Sequence, residues 1–348
     1  MLIHGGDTVG YEARYGRPPL DFSANVSPLG LPNGVRSAVI AALNTADRYP
    51  DPLCRELISA LSQAEGIPEQ YILCGNGAAD LIFRLVLAVN PKTALVLAPT
   101  FAEYEQALQL VNCQVQHHIL YPQNDFTLTE AILGDITPEL DMLFLCQPNN
   151  PTGQLCSGPV LHSILDACEA NDVLLVADEC FIEFLDRPAD YSLHERLSCN
   201  NLFILKAFTK LYAMAGLRLG YGLCNNTALL EKMRNCGQPW GVSSLAQAAG
   251  IAALQEGAYV ERLRALIQEE RQWLKAELTA MGCRVYGSFA NFIFFESMPQ
   301  LGGALEEKGV LIRSCANYHG LSVGYYRIGV RTRPDNERLV QAMKEVLL

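Results

Sequence analysis

Short apolar runs alternate with helix-like segments through the middle of the chain, and this pattern constrains the fold more than any other feature. Runs of about five apolar residues between helices are typical of parallel strands that helices bury on both faces. The predicted strands are residues 94–98, 142–146, 173–177, 202–205 and 219–223. The sequence therefore predicts an α/β fold with a mostly parallel sheet between layers of helices.

The pattern changes after residue 242, and a chain of 348 residues is long enough for two domains. The elements predicted there are a helical stretch over 243–281 that breaks near Gly257, strands 291–296 and 325–330, and a closing helix over 336–347. We therefore expect a large cofactor-binding domain over 45–242 and a smaller α+β domain over 243–348. The first forty residues are rich in Gly and Pro and predict loops rather than core, so residues 1–44 are expected to form an arm that contributes to the small domain and the substrate pocket.

The composition excludes several classes of function. The net charge of −11 and the lack of a basic stripe argue against nucleic-acid binding. No apolar run is long enough to span a membrane, and the N-terminus lacks a signal-peptide pattern, so we expect a cytoplasmic protein. The 12 cysteines contain no CxxC pair, so we expect no metal site and interpret them as buried, reduced thiols. The pair His117-His118 has no carboxylate nearby in the sequence and is interpreted as structural.

A glycine-containing loop precedes an apolar helix and is a candidate phosphate site. Gly75, Asn76 and Gly77 stand between a predicted strand and residues 81–89. Glycines at a helix start let backbone N–H groups approach an anion. An ordinary turn explains this segment equally well. The loop is not GxGxxG, which disfavours a dinucleotide fingerprint.

Two further strand ends carry polar residues. The loop over 147–153 contains two prolines and two adjacent amides, Asn149 and Asn150. A stiff amide suits a hydrogen bond to a ligand hydroxyl or phenolate. Asp178 ends another strand, where a buried carboxylate needs a cation such as a protonated ring nitrogen. An isolated Asp there would be better explained as a helix cap or a solvated strand end.

A lysine follows the next strand. Lys210 lies just past 202–205, and a lysine in a desolvated loop can form a Schiff base because burial lowers its pKa. Thr209 and Arg218 could together bind a phosphate dianion. Lys206 is the competing lysine, which ranks lower because it lacks flanking hydroxyls.

These loops, in this order along the chain, resemble those of the fold type I pyridoxal-phosphate enzymes related to aspartate and histidinol-phosphate aminotransferases. The resemblance rests on the Asn-Pro-Thr-Gly loop, Asp178, Lys210 and Arg218, and it covers essentially the whole chain. It implies pyridoxal 5′-phosphate as the cofactor, joined to Lys210 and paired through its ring nitrogen with Asp178. The other cofactor-binding residues that it implies are Asn150 at the phenolate oxygen, Phe101 on the ring face, and Gly75, Asn76, Gly77, Thr209 and Arg218 at the phosphate. It also implies a homodimer in which Tyr49 crosses to the neighbouring site.

Within that family the chain resembles the threonine-phosphate decarboxylases, the lyases of cobalamin biosynthesis. The segments that carry this resemblance are residues 4–6, 21–25, 48–51, 101–104 and 312–318. It implies decarboxylation of L-threonine O-3-phosphate to (R)-1-amino-2-propanol O-phosphate, and it leaves L-serine O-phosphate open as a second substrate. The substrate-binding residues that it implies are His4, Gly5, Asn25, Asn150, Arg313 and Arg327.

Two departures from the wider family bear on this interpretation. Phe181 stands where histidinol-phosphate aminotransferases carry a tyrosine, which favours the decarboxylase. Ala207 stands where relatives have Ser or Thr, so one hydrogen bond to the cofactor phosphate is expected to be missing. The alternatives are a histidinol-phosphate aminotransferase, a noncatalytic cofactor-binding protein and, disfavoured by the glycine loop, a nicotinamide-dependent dehydrogenase.

Overall fold

The computed structural model describes residues 5–347. Its helices are α1 (Thr8–Tyr15), α2 (Asn33–Ala42), α3 (Arg55–Glu65), α4 (Ala78–Val89), α5 (Glu103–Gln109), α6 (Gly158–Ala170), α7 (Phe208–Leu211), α8 (Thr227–Cys236), α9 (Ser244–Ala253), α10 (Gly257–Ala280), α11 (Leu301–Glu307) and α12 (Arg333–Leu347). Its strands are β1 (Leu20–Asp21), β2 (Ile72–Gly75), β3 (Thr93–Ala98), β4 (Gln114–Ile119), β5 (Met142–Cys146), β6 (Leu174–Asp178), β7 (Leu202–Ala207), β8 (Gly220–Leu223), β9 (Arg284–Tyr286), β10 (Phe292–Glu296), β11 (Val310–Leu311), β12 (Arg313–Ser314) and β13 (Tyr325–Gly329).

A seven-stranded sheet forms the centre of the fold, in the order β2-β8-β7-β6-β5-β3-β4. The predicted strands are confirmed with ends that shift by at most two residues. The mostly parallel arrangement is also confirmed, and β8 is the reversed strand, antiparallel to both β2 and β7. Because β8 runs backwards, the residues just before it lie at the edge where the other strands end.

Helices bury this sheet on both faces. Along β7, Leu202 and Ile204 belong to one apolar cluster, whereas Phe203 and Leu205 belong to the cluster on the other face. Alternate residues of a strand point to opposite faces, so a strand that is covered twice must be apolar throughout. This double burial explains the continuous apolar runs in the sequence.

The last hundred residues form a second sheet with its own core. Strands β12, β13, β10 and β9 are antiparallel neighbours, and helices α10 and α12 pack beside them. The predicted break in the helical stretch is confirmed, since α9 ends at Ala253 and α10 begins at Gly257. The strand β1 pairs with β11 and so ties the N-terminal segment to this part of the molecule.

The prediction that the first forty residues form loops without core is wrong. They contain α1 and α2, and the side chains of Tyr11, Phe22 and Val35 are fully buried. The Gly and Pro residues mark helix ends instead. Gly16 ends α1 in the left-handed conformation, and Pro32 precedes the first residue of α2.

The expectations for cysteine and histidine are confirmed only in part. All cysteines are free, and all but Cys180 and Cys236 are buried. The histidine pair does have carboxylates nearby in space: Glu105 lies 3.5 Å from His117, and Asp135 lies 2.6 Å from His118. Among residues 5–347, no helix has the length and apolar character needed to cross a membrane.

Candidate active site

Loops at the carboxyl edge of the large sheet enclose a cavity of about 330 Å³. The predicted site residues that line it are Gly5, Asn25, Phe101, Asn150, Asp178, Thr209, Lys210, Arg218, Arg313 and Arg327. The turn containing Gly75, Asn76 and Gly77 lies directly beside it. Tyr49 lies in a separate groove, and His4 is outside the described residues. The structure thus brings together most of the residues that the sequence singled out.

Asp178 ends β6 as a buried carboxylate. The Tyr104 hydroxyl donates a hydrogen bond to Oδ2 at 2.6 Å, and the Cys180 N–H donates to Oδ1 at 3.0 Å. Among the described residues, these partners are a hydroxyl and a backbone amide, and neither is a cation. A buried carboxylate without a cation is costly, so the site favours a ligand with a positively charged group.

Tyr104 contacts a predicted site residue, and the sequence analysis did not assign it a role. It lies in α5, three residues after Phe101, and its ring stacks on Phe144 at 4.7 Å. Burial raises its pKa well above the usual value, and the Asp178 charge acts in the same direction. The hydroxyl therefore stays protonated and keeps Asp178 in place. The segment 101–104 carried this signal, but only the structure shows that the Tyr104 hydroxyl on α5 reaches the carboxylate at the end of β6.

Lys210 lies in the short helix α7, one turn beyond the end of β7. Its Nζ donates a hydrogen bond to Thr209 Oγ1 at 2.9 Å and lies 5.9 Å from the centre of the Phe181 ring. Burial lowers the pKa of Lys210, and the positive charges of Arg218 and Arg327 add to the effect. A lower pKa increases the fraction of neutral, nucleophilic amine.

An anion cradle lies where α4 begins. Gly77 has a φ of +85°, and a Cβ added there would lie 2.7 Å from Nη2 of Arg218. A Cβ on Gly220 would lie 2.5 Å from the backbone N of Ala78. Glycine at both positions therefore lets Arg218 and the start of α4 approach each other closely.

The backbone donors in this cradle differ from those that the sequence predicted. The Asn76 N–H already donates to Asp80 Oδ2 at 2.8 Å, and the Gly77 N–H donates to Gly75 O at 2.8 Å. The amides of Ala78 and Ala79 belong to the first turn of α4, where N–H groups lack acceptors within the helix, and both residues line the cavity. The backbone amides available to an anion are therefore those of Ala78 and Ala79, one and two residues after Gly77.

Arg327 fixes the orientation of Asn150. Its Nη1 donates a hydrogen bond to Asn150 Oδ1, and its Nη2 donates to Ser23 O at 3.0 Å. Because the amide oxygen is engaged, Asn150 presents its NH₂ group as a donor. Within the described residues, Arg327 Nε and Asn25 Oδ1 are buried and lack hydrogen-bond partners. Such orphaned polar atoms in a cavity wall indicate a polar ligand.

Arg313 adds a third guanidinium to the cavity wall. Its Nη2 donates to Asn317 Oδ1 at 2.7 Å, and its guanidinium lies 5.4 Å from the centre of the Tyr318 ring. Glu103 and Tyr318 also line the cavity, and the sequence analysis assigned neither of them a role.

Comparisons with known proteins agree with this geometry. The model of the family "Aminotransferase class I and II" matches residues 17–343. The chain belongs to this family. The family is one of pyridoxal-phosphate enzymes, so the cofactor inferred from the sequence is confirmed at this level.

Three members of the family illustrate the similarity. Threonine-phosphate decarboxylase of Salmonella typhimurium is 38% identical, and the match covers 99% of this chain and 96% of that protein. Histidinol-phosphate aminotransferase of Desulfitobacterium hafniense is 33% identical over 97% of this chain and 94% of its own. The structure of histidinol-phosphate aminotransferase from Sinorhizobium meliloti in complex with pyridoxal-5′-phosphate has a TM-score of 0.88 at 23% identity, with 99% and 95% covered. The expected fold is therefore confirmed.

The site of this family member fits pyridoxal phosphate. Among the described residues no cation donates a hydrogen bond to Asp178, burial lowers the pKa of Lys210, and a helix start beside Arg218 can receive a phosphate group. One donor is absent, since Ala207 has no hydroxyl and leaves Thr209 as the hydroxyl neighbour of Lys210.

Proposed function

We propose that this chain is a pyridoxal-phosphate-dependent decarboxylase of L-threonine O-3-phosphate that produces (R)-1-amino-2-propanol O-phosphate. The observation that carries the proposal is the set of three arginines around Lys210. Arg218, Arg313 and Arg327 line one cavity, and the reaction brings three anionic groups there: the cofactor phosphate, the substrate carboxylate and the substrate phosphate. The similarity to the Salmonella typhimurium decarboxylase over both whole chains supports this choice.

Several residues of the cavity wall would hold the cofactor. Lys210 would bind it covalently, Asp178 would face its ring nitrogen, and the Asn150 NH₂ group would donate to its phenolate oxygen. The residues proposed for the phosphate are Ala78, Ala79, Thr209 and Arg218. When bound, pyridoxal phosphate supplies an electron sink for the pair of electrons released when a bond at the substrate α-carbon breaks.

The chain's own residues decide which bond breaks. Arg327 binds the substrate carboxylate and Arg313 binds the substrate phosphate, and these two anchors orient the α-carbon. Each charge-assisted anchor contributes roughly 1.5–3 kcal/mol. Phe101 and Phe181 exclude water from the reacting carbon. Lys210 then holds the proton that is delivered to the α-carbon after carbon dioxide leaves.

Product analysis tests this function. Incubation of the holoenzyme with L-threonine O-3-phosphate is expected to release carbon dioxide and form aminopropanol phosphate in equal amounts. The matched panel contains L-serine O-phosphate, which lacks one methyl group, and unphosphorylated threonine, which lacks the group that Arg313 binds. Rapid transfer of the amino group to a 2-oxo acid would contradict the proposal.

Histidinol-phosphate aminotransferase is the second candidate, because the Desulfitobacterium hafniense enzyme of that name is similar over nearly the whole chain. Phe181 argues against it, since this side chain offers no hydroxyl to the cofactor. An assay with histidinol phosphate and 2-oxoglutarate separates the two functions. Glutamate formation at a rate above that of carbon dioxide release would favour the aminotransferase.

We also propose a cytoplasmic homodimer in which Tyr49 completes the neighbouring site. Tyr49 is 80% exposed, stacks on Trp240 at 4.5 Å, and borders a groove of about 910 Å³. Ile40 and Leu43 nearby are also exposed, as expected for a surface that a second copy covers. Free cysteines suit a reducing compartment. Sedimentation analysis should give twice the chain mass, and Tyr49→Ala should weaken cofactor binding.

A further inference from the structure

Glu103 is a second carboxyl group in the cavity, and the proposed reaction does not yet use it. It is the first residue of α5 and lines the cavity together with Lys210 and Arg313. Burial raises the pKa of Glu103 to about 7, and the nearby Asp178 charge adds to this, whereas Lys210 and Arg313 act against it. Glu103 is therefore a proton carrier near neutral pH. Among residues 5–347, the other charged or titratable groups of the cavity wall are Lys210, Asp178, Cys146, Cys180, Arg218, Arg313, Tyr318 and Arg327.

A bound phosphate monoester makes the ionised form of Glu103 unfavourable. The phosphate carries a charge of about −1.5 to −2 at pH 7, and a like charge in one site disfavours ionisation. A proton held by one of the two groups removes this repulsion. The second pKa of a phosphate monoester is about 6, whereas burial raises the pKa of Glu103 to about 7, so the carboxyl group is the favoured position of that proton.

We propose that Glu103 binds the phosphate of the substrate as a neutral acid, with its O–H donating a hydrogen bond to a phosphate oxygen in the cavity that Arg313 also lines. This inference rests on the proposed function, because it requires a phosphate monoester as ligand. It makes Glu103 a specificity residue: substrate binding takes up a proton, and affinity falls as the pH rises above 7.

Calorimetry on the holoenzyme measures this proton directly. The probe is 3-phosphooxybutanoate, which is the proposed substrate without its amino group, so that no reaction follows binding. Titrations in two buffers with different heats of ionisation give the number of protons taken up. We expect about 0.4 proton at pH 7 and about 0.9 proton at pH 8, because a group with a pKa of about 7 is increasingly ionised before binding and the probe phosphate gives up about 0.1 proton at pH 7. Visible absorbance of the cofactor is recorded in parallel to detect any proton taken up at Lys210.

Three variants test whether Glu103 is the group that takes up the proton. Glu103→Gln keeps a donor but carries no titrating group, so it should bind the probe without proton uptake and with an affinity that no longer falls above pH 7. At pH 9 it should bind at least tenfold more tightly than the wild type. Glu103→Leu lacks the donor and should lose about tenfold or more in affinity at pH 6.5. Glu105→Gln makes the same change two residues along α5, outside this cavity, and should behave as the wild type.

The outcomes separate this inference from the proposed function. Equal proton uptake by the wild type and Glu103→Gln would overturn the role of Glu103 while leaving the decarboxylase intact. Absence of uptake by the wild type at pH 8 would overturn it as well. If the folded wild-type holoenzyme binds neither the probe nor L-threonine O-3-phosphate, both proposals are wrong.

Discussion

Two lysines lie four residues apart, Lys206 buried in β7 and Lys210 half-buried in α7, and their surroundings are opposite in character. Lys206 lies within 3.1 Å of Glu65 Oε2 and 3.5 Å of Glu183 Oε1, and Tyr221 donates a hydrogen bond to Glu65. Lys210 instead contacts the hydroxyl of Thr209, and the nearby carboxylate Asp178 is bound by Tyr104. Each site has a lysine, a carboxylate and a tyrosine.

The difference lies in what each lysine is paired with. Burial by itself lowers the pKa of Lys206, but Glu65, Glu179 and Glu183 outweigh it, so the pKa is raised. Burial and the neighbouring arginines lower the pKa of Lys210. Lys206 is thus a permanent cation that stabilises the fold, whereas Lys210 is available as a nucleophile. The consecutive residues Asp178 and Glu179 also have different partners. Asp178 lines the cavity together with Lys210, whereas Glu179 interacts with the charge of Lys206.

Replacing each of the two lysines by a neutral residue, in separate variants, should have the largest effect and tests this comparison most strongly. Lys210→Ala is expected to abolish decarboxylation, because Lys210 is the one lysine among the described residues of the cavity wall. Lys206→Met, the matched control, should keep most of the activity at temperatures where it is folded. Steady-state carbon dioxide release measures both. Comparable losses in the two variants would contradict the assignment.

The stability of the Lys206→Met variant tests the second part of the comparison, which is that Lys206 stabilises the fold. Removal of this cation leaves the buried Glu179 and the half-buried Glu65 without the charge of Lys206, so the free energy of unfolding should fall by about 3–5 kcal/mol. Urea denaturation measures the change. A double variant, Lys206→Met with Glu65→Gln, should recover part of the loss, and a loss below 1 kcal/mol in the single variant would show that the ion cluster is not structural.

Replacing Tyr104 and Tyr221 by phenylalanine gives a matched pair of variants with smaller expected effects. Tyr104→Phe removes the hydroxyl that holds Asp178, and we expect kcat to fall about tenfold or more and cofactor affinity to weaken, since a hydrogen bond to a charged group contributes roughly 1.5–3 kcal/mol. Tyr221→Phe removes the matching hydroxyl at Glu65 and should lower stability while kcat is unchanged. An effect of Tyr221→Phe on kcat as large as that of Tyr104→Phe would remove the distinction.

Ala207→Ser should have the smallest effect. The new hydroxyl lies at the end of β7 and is expected to tighten cofactor binding by about 0.5–1.5 kcal/mol through one hydrogen bond to the phosphate. Equilibrium titration with pyridoxal phosphate measures the change, with kcat as a control that should stay the same. Weaker binding would show that Ala207 is packed against something that the hydroxyl displaces.

The sequence predicted those parts of the fold and site that depend on local pattern. The apolar runs located the strands, and the order of loops placed Asp178, Lys210 and Arg218 at one edge. Tyr104 escaped notice because its role depends on a hydrogen bond to Asp178, which is 74 residues further along the chain and which no local pattern encodes.

Other features depend on hydrogen bonds that form only in three dimensions. Asn76 and Gly77 were predicted as phosphate donors, but their N–H groups are used within the turn, and this leaves Ala78 and Ala79. Lys206 ranked below Lys210 because it lacks flanking hydroxyls, whereas the decisive reason is Glu65, which is far away in the sequence. The helices α1 and α2 were missed because Gly and Pro at their ends resemble loop composition.

Covalent trapping tests the central claim, which is that Lys210 and not Lys206 carries the cofactor. Purified protein is loaded with pyridoxal phosphate, reduced with borohydride, digested and analysed by peptide mass spectrometry. We predict one phosphopyridoxyl group on Lys210, none on Lys206, and loss of the visible absorbance after reduction. A label on Lys206, or no label on either lysine in folded protein, would contradict the account.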